Sequence, residues 1–388
     1  MDKSKPNQVR PWLLLSLCFL LLIISIYVAL QQRSQSQTTI RQYNETLTDV
    51  GFDTFVTYSE TNDQAHFQDH LDYIQERFLY YNQLFDYYHT YDDLTNLKTI
   101  NDAAGKNAVQ VDKELIDCLI QAKTIYSYSK HFDVTQGSLL QVWHTYREES
   151  IKQNNEGKDG SIPSFEELEN AYNPECWDAV EIDEDASTVF IKDQNVSIDL
   201  GGIAKGYAVE KVSEELNAMG VSSAILNAGG NVMLIGDKSK QEPWLVGIQA
   251  PDINAIESNN IAVLSLQGSH AVVTSGDYQR YYEVDGTLYS HIIDPLTLYP
   301  SHYFRSVTVI ADNSTIADGL STALFTMRYE EGVELIKRLE EQGIFVQAVW
   351  VLDESCDELP KEEALFVKDN YRVYASESLR DSISESSE

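Results

Sequence analysis

The stretch from Ser197 to Glu210, SIDLGGIAKGYAVE, combines residue types that can bind a phosphate. An apolar run ends in the acid Asp199, two glycines follow at once, and Lys205 comes shortly after them. Glycines let a ligand approach the backbone closely, the N–H groups of a helix start attract anions, and a lysine adds a positive point charge. The stretch contains neither a G-x-G-x-x-G fingerprint nor a P-loop. Taken alone, it favours an ordinary strand–turn–helix corner with a surface lysine.

Asp318 and Thr322 are four residues apart in a segment whose pattern predicts a helix over 316–329, so they share one helix face. A carboxylate and a hydroxyl, together with backbone carbonyls of a glycine turn, form an all-oxygen set that suits Mg²⁺. An acid that offsets the helix dipole near a helix N-terminus is the commoner explanation. Both interpretations stay open on this segment alone.

His291 follows a predicted strand and precedes Asp294-Pro295, which indicates a turn. A histidine can act as a general base near neutral pH. Most isolated histidines are hydrogen-bonded structural residues, and that alternative is the more common one.

Strands and helices of ordinary length must position these residues. Helical spacing is present over 64–91 and 113–129, after the Gly-Gly corner through residue 216, over 316–329 and from residue 331. Strands are predicted at 52–59, 223–226, 232–235, 243–248, 261–266, 271–275, 278–284, 307–311, 345–352 and 372–374. Hairpins are expected around 183–187 and at Asp285-Gly286, and the charged segment 147–172 predicts an exposed loop or helical excursion.

Composition limits the partners of the protein. The chain has 388 residues, is 43% hydrophobic and carries a formal net charge of −33. A nucleic-acid partner is not expected, because phosphate contacts require a basic face. Most of the acidic residues are expected on a solvated surface that keeps the protein soluble.

The first 33 residues are expected to form a separate unit. The run from Trp12 to Leu30 has no charged residue and is long enough to cross a bilayer. Basic residues precede it, which predicts a cytoplasmic N-terminus and an extracytoplasmic remainder. A cleaved signal peptide fits less well because no A-x-A cleavage site is present. A lipidated Cys18 also fits less well, because Leu17 stands directly before it where a small residue is needed. An uncleaved single-pass anchor in the cell membrane is therefore expected.

The rest of the chain divides into three parts by composition. Residues 34–47 are expected to be a linker, residues 48–375 one folded domain, and residues 376–388 a disordered acidic, serine-rich tail.

Five segments in this order closely resemble motifs of the ApbE family, the FAD:protein FMN transferases. They are DLGGIAKGYA at 199–208, NAGGN at 227–231, TSGDY at 274–278, SHIIDP at 290–295 and DGLSTAL at 318–324. The segment HFDVT at 131–135 is similar to the family's G-x-F-D-x-T, Asn101 to an Asn that closes its early helix–loop, and PWLVGI at 243–248 to its P-W-x-V-G-I strand. The resemblance covers roughly residues 48–352.

The resemblance implies an α+β fold: a single catalytic ectodomain with mixed or antiparallel sheets and packed helices, T-fold-like, after one N-terminal transmembrane helix. It also implies a reaction in which FAD binds with Mg²⁺, a Ser or Thr hydroxyl of an extracytoplasmic flavoprotein or redox-pump subunit attacks the flavin-side phosphorus, and AMP leaves. By this resemblance His291 would be the base, and the metal ligands would be Asp318, Thr322 and the Gly202 carbonyl. FAD contacts would come from the following residues: His131, Phe132, Asp133, Asp199 and Lys205.

Two departures from the family pattern stand out. Phe52-Asp53-Thr54 replaces the usual Met-Gly-Thr, which affects an early flavin contact. Thr297-Leu298 replaces the usual Thr-Gly, and because leucine tolerates positive φ poorly, a different turn is expected there.

Two other functions remain open. The same site could hydrolyse FAD to FMN and AMP, with water in place of the acceptor hydroxyl. Alternatively, the domain could bind flavin without catalysis and dock a membrane partner. The presence of His291, Asp318, Thr322 and Lys205 argues against the second of these.

Overall fold

The structure is a computed structural model that describes residues 41–239, 242–252 and 259–386. The apolar run predicted as a membrane anchor lies outside these residues. Within them, none of the helices combines the length and the apolar character needed to span a bilayer. The anchor therefore stays a prediction.

Eight α-helices and seventeen strands occur in the described ranges. The helices are α1 (Gln64–Leu84), α2 (Leu97–Asp102), α3 (Lys113–Tyr128), α4 (Gly137–Asn155), α5 (Phe165–Ala171), α6 (Ala204–Ala218), α7 (Ser314–Thr326) and α8 (Tyr329–Glu341). The strands are β1 (Arg41–Leu47), β2 (Val56–Asn62), β3 (Val109–Gln110), β4 (Val180–Asp183), β5 (Thr188–Ile191), β6 (Ser223–Ala228), β7 (Asn231–Gly236), β8 (Trp244–Gln249), β9 (Asn260–Leu266), β10 (His270–Gly276), β11 (Tyr281–Val284), β12 (Thr287–Ser290), β13 (Ser306–Ala311), β14 (Val346–Leu352), β15 (Phe366–Lys368), β16 (Tyr371–Ala375) and β17 (Ile383–Glu385). Short 3₁₀ turns lie at Cys176–Ala179 and Glu377–Ser382.

A nine-stranded sheet forms the centre of the fold. Its strand order is β1-β2-β6-β7-β10-β13-β14-β16-β15, and every neighbouring pair is antiparallel. Smaller antiparallel sheets are formed by β17-β9-β8, by β3-β5-β4 and by the β11-β12 hairpin. The predicted α+β class with antiparallel sheets is confirmed, and so are both predicted hairpins.

Alternating side chains of the central strands build two separate cores. On β13, Val307 and Val309 pack into the cluster that contains the buried residues of α1, α3, α6 and α7. Ile310 points to the opposite face, where it packs with residues of β8 and β9. Because successive side chains of a strand point to opposite faces and both faces of the sheet are covered, every residue of β13 is buried. The sheet is thus covered by helices on one face and by a small sheet on the other.

Local turn chemistry sets where the site-bearing elements begin. Asn313 accepts a hydrogen bond from Ile316 N at 2.9 Å and starts α7 two residues before the predicted start. Strand β2 begins at Val56 rather than at residue 52, since Phe52 and Asp53 have φ angles of 55° and 50°. The segment 147–172 proves to be mostly helical, with the end of α4 and all of α5.

The predicted linker is wrong for residues 41–47. These residues form β1 and pair with β2 along its whole length, from Arg41 opposite Asn62 to Leu47 opposite Val56. Most of their side chains are exposed because β1 is the edge of the sheet. An exposed edge strand can be polar, and for that reason its composition resembles that of a linker.

The predicted disordered tail is wrong for residues 376–386. This segment forms a 3₁₀ turn and then β17, which pairs with β9 from Ile383 opposite Leu264 to Glu385 opposite Ala262. Leu379 and Ile383 are buried in the second core. Two apolar side chains and a ladder of backbone hydrogen bonds are enough to order an acidic segment that could not fold alone.

Replacing Leu379 by alanine tests whether this segment contributes to stability. Leu379 is 1% exposed, so the Leu379→Ala variant should lose about 2–5 kcal/mol of the free energy of unfolding, as measured by chemical denaturation. Ser384→Ala, at an exposed position of β17, is the matched control and should change little. Equal stability of both variants and the wild type would mean that the tail does not pack.

Candidate active-site cleft

One large cleft of about 1150 Å³ brings the sequence-predicted site residues together. All nine line it: His131, Phe132, Asp133, Asp199, Gly202, Lys205, His291, Asp318 and Thr322. The cleft is also lined by the other segments that carry the resemblance, around Asn227, Thr274 and Ser290. The structure thus gathers these positions at one place, and the roles of the individual residues stay predictions.

The Gly-Gly corner is held in place by backbone and side-chain hydrogen bonds. Asn101 exchanges two hydrogen bonds with the backbone of Ile198, at 2.9 and 2.8 Å. Asp199 N donates to Val134 O at 2.7 Å, which ties the corner to the 131–135 segment. Gly201 N donates to the Asp199 carboxylate at 2.7 Å. Burial raises the pKa of Asp199 above its usual range, against the effect of this N–H.

A close contact between α6 and α7 positions Asp318. A β-carbon at Gly206 would lie 2.4 Å from Asp318 Cβ and 2.5 Å from Ser314 O, so only glycine allows this approach. Gly206 N donates to Asp318 Oδ2 at 2.7 Å. Burial raises the pKa of Asp318 to about 6, although the positive charge of Lys205 and the Gly206 N–H both oppose the rise. The carboxylate therefore lies at the N-terminus of α6, in the field of Lys205.

The residues around Asp318 fit a bound Mg²⁺ ion in their chemistry. The second carboxylate oxygen of Asp318 has no hydrogen-bond partner in the described part of the chain. A β-carbon at Gly202 would lie 3.3 Å from Thr322 Oγ1, so the glycine turn and this hydroxyl are neighbours. No set of three His, Cys, Asp or Glu side chains suited to a metal lies within the described ranges, and the donors here are one carboxylate, one hydroxyl and one carbonyl. Oxygen-only donors suit a hard cation that keeps water or phosphate ligands as well.

His291 is held in a form that can accept a proton. Its backbone N and its Nδ1 lie 3.1 and 3.2 Å from Arg280 O. A carbonyl oxygen can only accept, so Nδ1 carries the proton and Nε2 is left as the acceptor. Burial, followed by the charges of Arg280, Arg147 and Lys205, lowers the pKa of His291 to about 3. The imidazole is thus neutral at physiological pH.

His131 and Asp294 form a pair that the sequence did not predict. His131 Nδ1 lies 3.1 Å from Asp294 Oδ1, and Asp294 is buried. Asp294 Oδ1 also accepts a hydrogen bond from Leu296 N at 3.0 Å. Asp294 therefore fixes the orientation of His131 instead of standing free in the cleft.

The turn after Asp294 keeps the conformation that a glycine would allow. Leu298 has a φ angle of 70°, so the difference expected from its side chain does not occur. Leu298 N donates to Asp294 O at 2.8 Å, and Trp143 Nε1 donates to Leu298 O at 2.8 Å. The buried Leu298 side chain packs with Trp143 and Tyr299, and these contacts offset the strained backbone.

Helix α4 supplies cleft residues that the sequence reasoning missed. His144 and Arg147 line the cleft, although the charged segment 147–172 predicts an exposed loop or helical excursion. Leu139 and Trp143 are buried, and Arg147 follows at the same spacing of four on that face of the helix. This spacing was the signal that could have identified Arg147.

Glu210 links α6 to the start of α7 behind the site. Ser314 N donates to Glu210 Oε2 at 2.5 Å, and the side chain is buried. Burial raises the pKa of Glu210 to about 7, and this effect exceeds that of the Ser314 N–H, which lowers it.

Comparison with known proteins gives consistent matches. The model of the ApbE family matches residues 51–346. An FAD:protein FMN transferase of Klebsiella pneumoniae (strain 342) is 32% identical over 255 residues, which are 64% of this chain and 73% of that protein. One of Treponema pallidum (strain Nichols) is 30% identical over 307 residues, 75% of each chain.

Solved structures agree with this comparison. The crystal structure of the ApbE protein from Thermotoga maritima is similar with a TM-score of 0.69 and 29% identity, over 88% of this chain and 99% of that one. The flavin transferase ApbE from Vibrio cholerae is similar with a TM-score of 0.66 over 88% and 99%, and at 22% identity this likeness concerns the fold alone.

Replacing Glu210 by glutamine tests the pH dependence of the α6–α7 contact. Because the folded-state pKa of about 7 exceeds the ordinary value of 4.5, the protonated form stabilises the fold, and this stabilisation is lost as the pH rises through about 7. Between about pH 5 and about pH 8 the wild type should lose roughly 2–3 kcal/mol of unfolding free energy that Glu210→Gln retains. Chemical denaturation at the two pH values measures this difference. The control is Glu215→Gln at an exposed position of the same helix, which should show the same pH dependence as the wild type. If Glu210→Gln also shows the pH dependence of the wild type, the buried carboxyl is already ionised at low pH and the prediction is wrong.

Proposed function

This chain belongs to the ApbE family, and on that premise we propose that it is an FAD:protein FMN transferase, an enzyme that moves FMN from FAD to a hydroxyl group of another protein. One observation carries the proposal. A histidine kept neutral, with Nε2 free to accept a proton, shares a cleft with Lys205 and with the Asp318 carboxylate. Phosphoryl transfer to a hydroxyl requires a proton acceptor and positive charge at the phosphates, which Lys205 and a metal ion held by Asp318 would supply.

The reaction exchanges one phosphorus–oxygen bond for another. The hydroxyl oxygen of an acceptor Ser or Thr attacks the flavin-side phosphorus of FAD, while its proton moves to His291 Nε2. The bond from that phosphorus to the bridging oxygen breaks, and the bridging oxygen leaves with AMP. FMN remains on the acceptor through a phosphoester, and the proton passes from His291 to the departing phosphate or to water. Lys205 stabilises the negative charge of the phosphates throughout.

Mg²⁺ fits the site as the cation that would neutralise charge on the pyrophosphate when bound. Asp318, Thr322 and the Gly202 carbonyl would hold it, since their oxygens are the donors available in that part of the cleft. Of the three, Asp318 supplies the only charge.

The Asp318→Ala variant tests this assignment. It should raise the Mg²⁺ concentration needed for half-maximal AMP release, because the site loses its one charged donor, while the fold persists. An unchanged Mg²⁺ dependence would limit Asp318 to its hydrogen bond with Gly206.

The acceptor is proposed to be an extracytoplasmic flavoprotein or redox-pump subunit with a target Ser or Thr. This location is supported by the apolar run of Trp12–Leu30 and the basic residues before it. With that run as an uncleaved single-pass anchor in the cell membrane, the catalytic domain faces outward. Protease added to cells with a permeable envelope but an intact cytoplasmic membrane should degrade the domain, and protection until lysis would contradict this location.

The His291→Ala variant separates proton transfer from substrate binding. Loss of a general base should reduce the rate of AMP release and flavin transfer at saturating FAD by roughly 10²- to 10⁴-fold, while the dissociation constant of FAD changes little. Single-turnover kinetics and a fluorescence titration of FAD measure the two quantities separately. Weaker FAD binding with an undiminished rate at saturation would show that His291 contacts the ligand and is not the base.

A further inference from the structure

Arg147 is a half-buried cation that lines the cleft, and in the described part of the chain its one ion pair is with the exposed Glu148. Its side chain is 17% exposed. Its Nη2 lies 2.9 Å from His144 Nδ1 and 3.5 Å from a carboxylate oxygen of Glu148, whose side chain is 49% exposed. Nε and Nη1 have no hydrogen-bond partner within the described ranges. A guanidinium has five N–H donors, so most of its capacity remains unused.

Arg305 shows what this fold provides for a structural arginine of similar burial. Its side chain is 13% exposed and contacts two carboxylates, Asp277 at 2.7 Å and Asp353 at 2.6 Å. A charge removed from water is costly unless it is paired and hydrogen-bonded. Arg147 carries the same charge at similar burial, and its one carboxylate contact in the described ranges is the exposed Glu148 at 3.5 Å. The missing partner is therefore expected to be an anion that enters the cleft.

Rigid packing holds Arg147 at this place. Trp143, one turn earlier on α4, packs against Tyr289 and Tyr299 and donates to Leu298 O. These contacts attach α4 to the β12 strand and to the turn that follows His291. The position of the guanidinium thus depends on elements that also carry the proposed base.

The charge of Arg147 acts on the reaction centre from this position. It lowers the pKa of His291 together with the charges of Arg280 and Lys205. It also lowers the pKa of Asp199, against the larger effect of burial. Neither Asp199 nor Asp318 forms an ion pair with Arg147 within 4 Å in the described part of the chain, so the acids of the cleft do not neutralise it.

We propose that Arg147 binds the pyrophosphate of FAD through its free guanidinium N–H groups. The inference deepens the proposed function and rests on it. A planar guanidinium binds phosphate oxygens with two parallel hydrogen bonds, whereas the Lys205 ammonium acts as a point charge. Arg147 approaches from α4 and Lys205 from α6, so the two cations reach the ligand from different elements. Arg147 thereby contributes to binding the phosphates without accepting the proton.

The experiment measures ligand dissociation constants for Arg147→Gln by fluorescence titration and calorimetry in the presence of Mg²⁺. The probes are FAD, FMN, AMP and riboflavin, of which riboflavin has the same ring system and no phosphate. Loss of a charged hydrogen-bonding partner should weaken FAD binding roughly 10- to 100-fold and leave riboflavin binding unchanged. The titrations with FMN and AMP identify the phosphate that Arg147 binds. FMN carries the flavin-side phosphate and AMP the adenosine-side phosphate, so only the ligand whose phosphate contacts Arg147 should lose affinity.

Two further variants control for charge and for folding. Lys152→Gln removes the same charge from an exposed position of the same helix and should leave the affinity for FAD within about twofold. Arg147→Lys keeps the charge and loses the planar fork, so its affinity for FAD should lie between those of wild type and Arg147→Gln. Thermal unfolding of each variant verifies that the fold is intact.

Each outcome bears on the proposal. Equal losses of FAD and riboflavin affinity would mean that Arg147 only supports the shape of the cleft. An unchanged FAD affinity in Arg147→Gln would also overturn the assignment. In both cases the proposed transferase function would stand. If the wild type binds neither FAD nor AMP, the proposed function fails and the assignment of Arg147 fails with it.

Discussion

The hydrogen bond from Gly206 N to Asp318 Oδ2 is the contact on which the site depends. It exists because α6 and α7 approach so closely at Gly206 that a β-carbon there would overlap Asp318 and the Ser314 carbonyl. The same approach places Lys205 and the glycine corner opposite the face of α7 that carries Thr322. A single residue without a side chain therefore brings together groups that are more than one hundred positions apart in the sequence. The central sheet and its two cores hold the helices at this distance.

The electrostatics of the cleft follow from burial in a strongly acidic protein. Burial raises the pKa of Asp318 and of Asp199, and it lowers that of His291. Three cations, Arg147 on α4, Lys205 on α6 and Arg280 just before β11, favour the neutral histidine further. In the proposed reaction the cations and the neutral histidine have separate tasks, because the phosphates of FAD need positive charge while the attacking hydroxyl needs a base. The burial that makes these charges costly in the free protein is also what strengthens their interaction with a bound anion.

Much of the fold and part of the site could be predicted from the sequence. The strand–corner–helix at Asp199, the helix with Asp318 and Thr322, and both hairpins have strong local signals, namely glycines, alternating apolar residues and capping residues. The edge strand β1 and the strand β17 could not be predicted, because their stability comes from pairing with β2 and β9 and not from their own polar sequences. The left-handed conformation of Leu298 is likewise imposed by burial and by the hydrogen bond from Trp143.

The missed cleft residues share one cause. Arg147 begins the charged segment 147–172 and His144 lies just before it, and charged residues are expected to be exposed when the packing partner of a helix is unknown. Both residues line the cleft because Trp143 on the same helix packs against Tyr289 and Tyr299, which are about 150 residues away. The pair of His131 and Asp294 has the same origin, since two separate turns must meet before the hydrogen bond can form.

Analysis of the reaction products distinguishes a flavin transferase from an FAD hydrolase and from a flavin-binding protein without catalysis. The protein is incubated with FAD, Mg²⁺ and a candidate acceptor flavoprotein, and an acceptor whose target hydroxyl has been removed is the matched control. AMP should appear in an amount equal to the flavin bound covalently to the intact acceptor, which is seen as in-gel flavin fluorescence after denaturation. The control acceptor should remain unlabelled. Release of free FMN and AMP at the same rate with either acceptor would indicate an FAD hydrolase, and unchanged FAD would indicate a flavin-binding protein without catalysis. Either result would contradict the transferase assignment.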